Sequence, residues 1–435
     1  MKAILLFLLL SASNFIYAQC DDQRYLKKVF ADVNVQKSIS YHGPKLGPGG
    51  NLTILDFDLY EPKDDTVALR PLVIMMHGGA FLKLPIVNKR SPDIVLLSED
   101  LAKRGYVVIS PEYRLEDNLF NLLNRDAMVK IVAASLFDIN ELFCWLRDSY
   151  DNGNPYKIDF NRVFVGGVSA GAVIALQGLF LDRNEQLGEE FLSYANEVAA
   201  LDGIDIQEDV LDKKYCGAKI LGGMSMSGAL LDTTWIVNKP TGILFIHGTA
   251  DPIIPYGYDY PFGFTSLPKL FGTEYLYDIT KQKGMTVEAD IYPGTGHVPI
   301  IGDLDLADLF GDEPIEFIFN DQRLDSAKEH MASFFYKMLG CSTSVGIAEQ
   351  VHYGQLNLFP NPNNGIFYMD IPQGFTGKKV TITLTDIIGK TVHQQTASGT
   401  NRIQIIESLT NGLYSITVSF EGINDVYTGK IMVNR

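Results

Sequence analysis

Lysine and arginine are scarce in this chain. The count is 36 against 52 acidic residues, which leaves a formal charge of −16 and a pI near 4.9. A phosphate-binding surface needs concentrated basic side chains, so nucleic acid is excluded as a partner. Long apolar runs are missing too. Ala3–Leu10 is the most apolar stretch, and it falls short of the roughly 20 residues a membrane-spanning helix needs. No transmembrane segment is therefore expected. Only four cysteines occur, Cys20, Cys144, Cys216 and Cys341, and none has metal-ligand spacing, so neither a metal nor a cofactor is expected. The 46% share of apolar residues excludes a disordered or fibrous chain, and the length suits one large domain with a smaller one.

What is present begins with Lys2, the apolar stretch Ala3–Leu10, small and polar residues, and Ala18 before Gln19. This pattern predicts a secretory signal peptide over residues 1–18. An exported chain meets oxidising conditions, so its cysteines are expected to pair. Cys20 opens the first globular region and Cys341 closes it. The favoured pairs are thus Cys20 with Cys341 and Cys144 with Cys216, with free buried thiols as the alternative.

Between residues 19 and 341, short apolar runs alternate with helical stretches. Val35–Tyr41 and Asn51–Tyr60 lead as two strands. Six further runs lie at 71–76, 106–110, 162–166, 218–221, 242–246 and 286–292. Pro71–Met76 is apolar almost without a break, as in a strand buried on both faces. Leu96–Arg104, Asp126–Tyr150 and Ala327–Leu339 read as helices. Alternating strands and helices predict an α/β fold with a mostly parallel, eight-stranded sheet covered on both faces.

The run Arg162–Gly166 leads into Gly167-Val168-Ser169-Ala170-Gly171 and then an alanine-rich helix. That is strand, tight turn and helix, the setting in which G-x-S-x-G forms a nucleophile elbow. The glycines let strand and helix approach, and the helix N-terminus offers free N–H groups to a developing oxyanion. A second motif, His77-Gly78-Gly79-Ala80, follows directly on the buried run 71–76. Gly78 and Gly79 can bring their amides close to a carbonyl oxygen, and Ala170 supplies a third, giving a candidate oxyanion hole.

A serine needs a base, usually histidine, oriented by a carboxylate. Of the histidines after Ser169, His297 lies in the glycine-rich loop after the last strand. His330 falls within a helix, and His247 precedes the best acid. Asp251 sits in His247-Gly248-Thr249-Ala250-Asp251, just after the run 242–246, with Asp232 as the alternative acid. The candidate catalytic set is Ser169, Asp251 and His297.

Taken in order, these motifs resemble those of secreted α/β-hydrolase carboxylesterases of the His-Gly-Gly and G-x-S-x-G type. The resemblance covers most of residues 20–341. It implies the nucleophile–acid–histidine order, and a structural role for Arg114 in Tyr113-Arg114-Leu115. Two insertions stand out. The aromatic loop Tyr256–Phe264 is expected to wall the substrate pocket with Tyr256, Tyr258, Tyr260 and Phe262, favouring bulky or aromatic esters. The acidic stretch 302–323 suits a solvated face or a lid, and its Asp303, Asp305 and Asp308 lack the spacing of a calcium loop.

After Cys341 the composition changes. A linker over 342–354 precedes short alternating strands at 379–386, 402–406, 412–418 and 427–433, as in a small β-sandwich over 355–435. Pro360-Asn361-Pro362 with Gly365, then Gly389-Lys390, then Asn411-Gly412-Leu413-Tyr414, resembles the type A C-terminal sorting domain of type IX secretion. The resemblance implies export through that machinery to the cell surface or medium. A carbohydrate-binding module is the rival reading, although no exposed aromatic platform is evident. The whole reads as a secreted serine carboxylesterase acting on a small-molecule or polymeric ester. A serine peptidase of the same fold and a non-catalytic surface binding protein are the alternatives.

Overall fold

The computed structural model describes residues 23–182, 184–203, 210–302, 316–341, 353–356, 358–370, 379–386, 390–398, 402–406, 409–420 and 426–434. The chain divides into two compact units, residues 1–343 and 344–435.

The first unit is built on one eight-stranded sheet. Its strands are β1 (Val33–Leu46), β2 (Leu52–Pro62), β3 (Arg70–Met76), β4 (Val107–Pro111), β5 (Ile158–Val168), β6 (Ile220–Met226), β7 (Gly242–Gly248) and β8 (Val287–Tyr292). They lie in the order β1-β2-β4-β3-β5-β6-β7-β8. β1 with β2 and β2 with β4 are antiparallel, and every later pair is parallel. The two leading strands and six further ones expected from the apolar runs are these eight.

Among the described residues the longer helices are α1 (Pro92–Lys103), α2 (Arg125–Asp151), α3 (Ala170–Phe180), α4 (Gly188–Leu201), α5 (Thr273–Gln282) and α6 (Asp321–Met338); α4 packs on α2, and the others lie against the sheet. Their starts are written locally. Pro92 sits at the first turn of α1, and the Asn124 side chain accepts the Ala127 N–H to cap α2. Asn320 does the same for α6 through the Arg323 N–H.

Every residue of β3 is buried, because successive side chains point to opposite faces and both faces are covered. Leu72, Ile74 and Met76 join the core shared with α2 and α3. Val73 and Met75 join the core shared with α1 and α6. All eleven residues of α3 are buried, so it has no solvated face. Cys144 of α2 and Cys216 form a disulfide with Cα atoms 5.1 Å apart. Cys341 is disulfide-bonded too, and its expected partner Cys20 lies outside the described residues. Residues 1–18, Asp303, Asp305 and Asp308 also lie outside them. Among the described residues, no helix is long and apolar enough to cross a membrane.

The second unit has a five-stranded sheet in the order Tyr353–Gln355, Val426–Val433, Gly412–Phe420, Lys379–Thr385, Thr391–Ser398. A three-stranded sheet joins Leu358–Phe359, Ile366–Asp370 and Arg402–Ile406. Inward positions recur with period two, as in Val380, Ile382 and Leu384, and one apolar core spans both sheets. The strand Thr391–Ser398 was not expected, because its polar sequence TVHQQTAS lacks apolar alternation. It sits at the sheet edge, where one side of its backbone needs no partner strand.

Candidate active site

The site is assembled where three parallel strands end. Ser169 follows β5 and caps α3, with φ 54° and ψ −117°, a conformation that side-chain-bearing residues rarely adopt. The surrounding structure holds it there. A Cβ at Gly167 would lie 2.7 Å from the Met76 carbonyl oxygen, and one at Gly171 would lie 2.5 Å from that of His77. Both glycines are thus required by close approach of β3 to the turn. The Ser169 N–H donates to Met226 O at 2.8 Å, fixing the turn from the other side.

His297 lies in the loop after β8. Its Nε2 is 2.7 Å from Ser169 Oγ, and its Nδ1 is 2.7 Å from Asp251 Oδ2. Asp251 stands after β7, and the N–H groups of Ile253 and Ile254 both donate to its Oδ1 at 2.9 Å. Ser169, Asp251 and His297 are therefore brought into one continuous hydrogen-bonded line. Burial disfavours the charged Asp251, but His297 and His247 outweigh it and hold the carboxyl well below the usual carboxylate range. Asp232, the alternative acid, instead accepts the Thr234 N–H at 2.8 Å and caps a short turn.

The sequence reading passed over His247. Its Nε2 lies 3.1 Å from the same Asp251 Oδ2, while its Nδ1 is 2.8 Å from Thr273 Oγ1. The Thr273 hydroxyl can donate to Nδ1, leaving the Nε2 proton for the carboxylate. Asp251 thus rests between two imidazoles. The four-residue spacing from His247 to Asp251 was the available signal; chain order hid it. His330, set aside as part of a helix, is on α6 and binds Asp290 at 2.7 Å and Glu288 at 2.8 Å.

Gly78 and Gly79 lie across from the serine. A Cβ at Gly78 would be 3.2 Å from Ser169 Cβ, and Gly79 has φ +105°. Among the described residues, no acceptor takes the amide N–H of Gly78 or Gly79. Ala170, at the start of α3, adds its own N–H beside the serine. His77 faces the other way. It stacks on Tyr113 with ring centroids 4.4 Å apart, and its Nε2 is 3.1 Å from Glu112 Oε1. Arg114 is fully buried, holding Asp138 at 2.8 Å and Asp202 at 2.9 Å.

A cavity of about 170 Å³ opens at Ser169, lined mostly by apolar side chains of α2, α3 and α4. Of the four rings expected in its wall, Phe262 lines it. Tyr256, Tyr258 and Tyr260 are not among the lining residues. Tyr258 stacks on Phe271 at 4.2 Å, Tyr260 lies under the Lys269 ammonium, and Tyr256 packs edge-on to His247. Those rings hold the loop, because the flanking residues His247, Lys269 and Phe271 engage them. Helix α4 was also missed, although Phe191, Leu192, Ala195, Val198 and Ala199 carry helical spacing.

Residues 57–259 match the BD-FAE family, and residues 357–434 match the secretion system C-terminal sorting domain. Carboxylesterase 20 of Arabidopsis thaliana is 23% identical over 195 residues, which is 43% of this chain and 52% of that protein. The chain thus spans about half the length of the curated relative it matches. Among solved structures, a thermophilic esterase of Thermogutta terrifontis with propionate bound is 15% identical. The match covers 73% of this chain and 97% of that one, with a TM-score of 0.44. Esterase B of Lactobacillus rhamnosis, inhibited by a tributyrin phosphonate, is 14% identical with a TM-score of 0.41; 78% of this chain and 95% of that one are covered. The sorting domain directs a chain through type IX secretion to the cell surface or the extracellular space. The chain carries a BD-FAE esterase-like domain on an α/β-hydrolase fold, followed by a type IX secretion sorting domain.

Proposed function

We propose that this chain is an exported serine carboxylesterase. Ser169 Oγ attacks the ester carbonyl as His297 Nε2 takes its proton. Asp251 holds the imidazole at Nδ1 and stabilises the imidazolium that forms. The oxyanion of the tetrahedral intermediate accepts hydrogen bonds from the amides of Gly78, Gly79 and Ala170. His297 returns the proton to the departing alcohol, leaving the acyl group on Ser169. Water, losing a proton to His297, then attacks the acyl-enzyme and frees the acid and the serine. The type IX machinery is the partner of the tail.

The observation that carries this reading is the line of two 2.7 Å contacts from Asp251 through His297 to Ser169, beside two amides that no acceptor takes among the described residues. Matched ester and amide substrates test it. The native chain should hydrolyse the ester, and Ser169→Ala should lose at least about 10³-fold in kcat with an unchanged melting profile. Faster cleavage of the amide would make the chain a peptidase. No turnover of either substrate would leave a binding protein.

A further inference from the structure

Asp251 accepts from more groups than the orientation of one imidazole requires. Its Oδ1 takes the N–H groups of Ile253 and Ile254, and its Oδ2 takes His297 Nδ1 at 2.7 Å. His247 Nε2 reaches that same Oδ2 at 3.1 Å. His247 is fully buried on β7 and does not line the cavity at Ser169. It can therefore act on the reaction only through Asp251.

The proton on His247 is fixed from both ends of the ring. The Thr273 hydroxyl, on the first turn of α5, lies 2.8 Å from Nδ1 and has no other partner among the described residues, so it donates there. At Nε2 stand two acceptors, Asp251 Oδ2 and the Ile254 carbonyl oxygen at 3.2 Å. A proton on Nε2 serves both, whereas a lone pair there would face two oxygens. The Nε2–H tautomer, with no charge, meets every one of these contacts. A carboxylate oxygen that accepts two hydrogen bonds pulls less strongly on each.

We propose that His247 is a positioning residue that acts on His297 through Asp251. By donating to Oδ2 it holds that oxygen in place against His297 Nδ1 and weakens its pull on the proton. His297 is then left as a free base, ready for the Ser169 proton, at lower pH. This rests on the serine carboxylesterase reading above. Other titratable groups face the cluster from neighbouring elements. Tyr256 stands edge-on to His247 with ring centroids 5.6 Å apart, and Glu274 and Asp278 of α5 act on its hydroxyl. From α6, Arg323 donates to Pro299 O at 3.2 Å. All of them are retained in the variants below, so the His247 hydrogen bond is what changes.

The test is the pH profile of kcat/KM for 4-nitrophenyl butyrate, read where the phenol and phenolate absorb equally. His247→Leu should move the acid limb up by about one pH unit, the scale of a hydrogen bond to a charged group. It should lower kcat while KM stays within about twofold, because the cavity is untouched. His247→Gln, which can offer an amide N–H to Oδ2, should bring the limb back to within about 0.3 unit of native. Thr273→Val keeps the ring but removes the hydroxyl that polarises it, and should move the limb the same way by less. An acid limb that does not rise in His247→Leu makes His247 a packing residue and overturns the proposal while the esterase reading stands. An equal rise in the Leu and Gln variants does the same. If His247→Leu does not fold, Thr273→Val decides: a raised limb supports the coupling and an unmoved one overturns it. Titration of the His297 ring C–H signal by NMR, identified by its absence from His297→Gln, reads the coupling without substrate. A native chain that turns over no ester, with that titration still raised by His247→Leu, keeps the coupling and sinks the esterase reading. Neither turnover nor a raised titration removes both.

Discussion

The two units of the chain use burial for opposite purposes. Around the first unit's strand ends, His77, Ser169, His247 and His297 are all nearly inaccessible, and each has a polar partner. In the second unit the core is Phe367, Ile382, Ile416, Ile431 and their apolar neighbours. Its one buried polar side chain among the described residues, Asn363, closes backbone bonds at Met432 and Gly365. Burying a polar group is costly unless it is paired. A fold that repeats that burial around one loop cluster suits the chemistry proposed for it. A fold that avoids it is holding a shape to be recognised.

Breaking the first unit's line of groups should have the largest effect. His297→Ala should lower kcat by roughly 10³–10⁶, and Asp251→Asn by roughly 10⁴, because the amide no longer fixes the proton on Nδ1. Both are read from ester kinetics, with circular dichroism to show that the fold persists. An Asp251→Asn enzyme within tenfold of the native one would mean that the charge of Asp251 is not needed to orient His297.

A smaller effect separates a paired histidine that does no chemistry. Burial opposes charge on His330, but hydrogen bonds and attraction from Asp290 and Glu288 outweigh it and raise its pKa to about 9. A raised folded pKa stabilises the protein fully below about 6.5, the unfolded value, and that contribution is lost as pH rises through about 9. His330→Gln should therefore lower the first unit's stability by on the order of 2 kcal/mol at pH 6 and much less at pH 10. Chemical denaturation at the two pH values measures this. An equal loss at both would mean that shape, not charge, matters at that site.

The smallest expected change in catalysis comes from the second unit. Removing residues 355–435 should leave kcat/KM of the purified protein within about twofold and abolish export from the native host. A large loss of activity would show that the tail contributes to the site, and the contrast between the units would fail.

Much of this could be read from the chain, because the informative residues are forced by local geometry. Gly167 and Gly171 are small because β3 crosses them closely, and Pro71–Met76 is apolar because both faces are covered. Such constraints leave their mark in a few consecutive residues. The rest depends on what distant segments bring. Tyr258 finds Phe271 and Tyr275, so its loop closes on itself, and Pro261 and Phe262 turn to the cavity. The apolar lining on α2 reads as one side of an amphipathic helix. That it faces a gap, and not a packed neighbour, depends on the width left by α3 and α4.

The strand Val426–Val433 has a place in its sheet that bears on cleavage. It lies between Tyr353–Gln355 and Gly412–Phe420, and it carries Ile431 and Val433 into the core. A chain cleaved just before Val426 would lose those side chains and the ladder joining Tyr353–Gln355 to the rest of the sheet. Its esterase-like half would fold all the same, but its sorting half would remain open. An export signal read from this unit depends in that way on a strand that makes no contribution to the proposed catalytic groups.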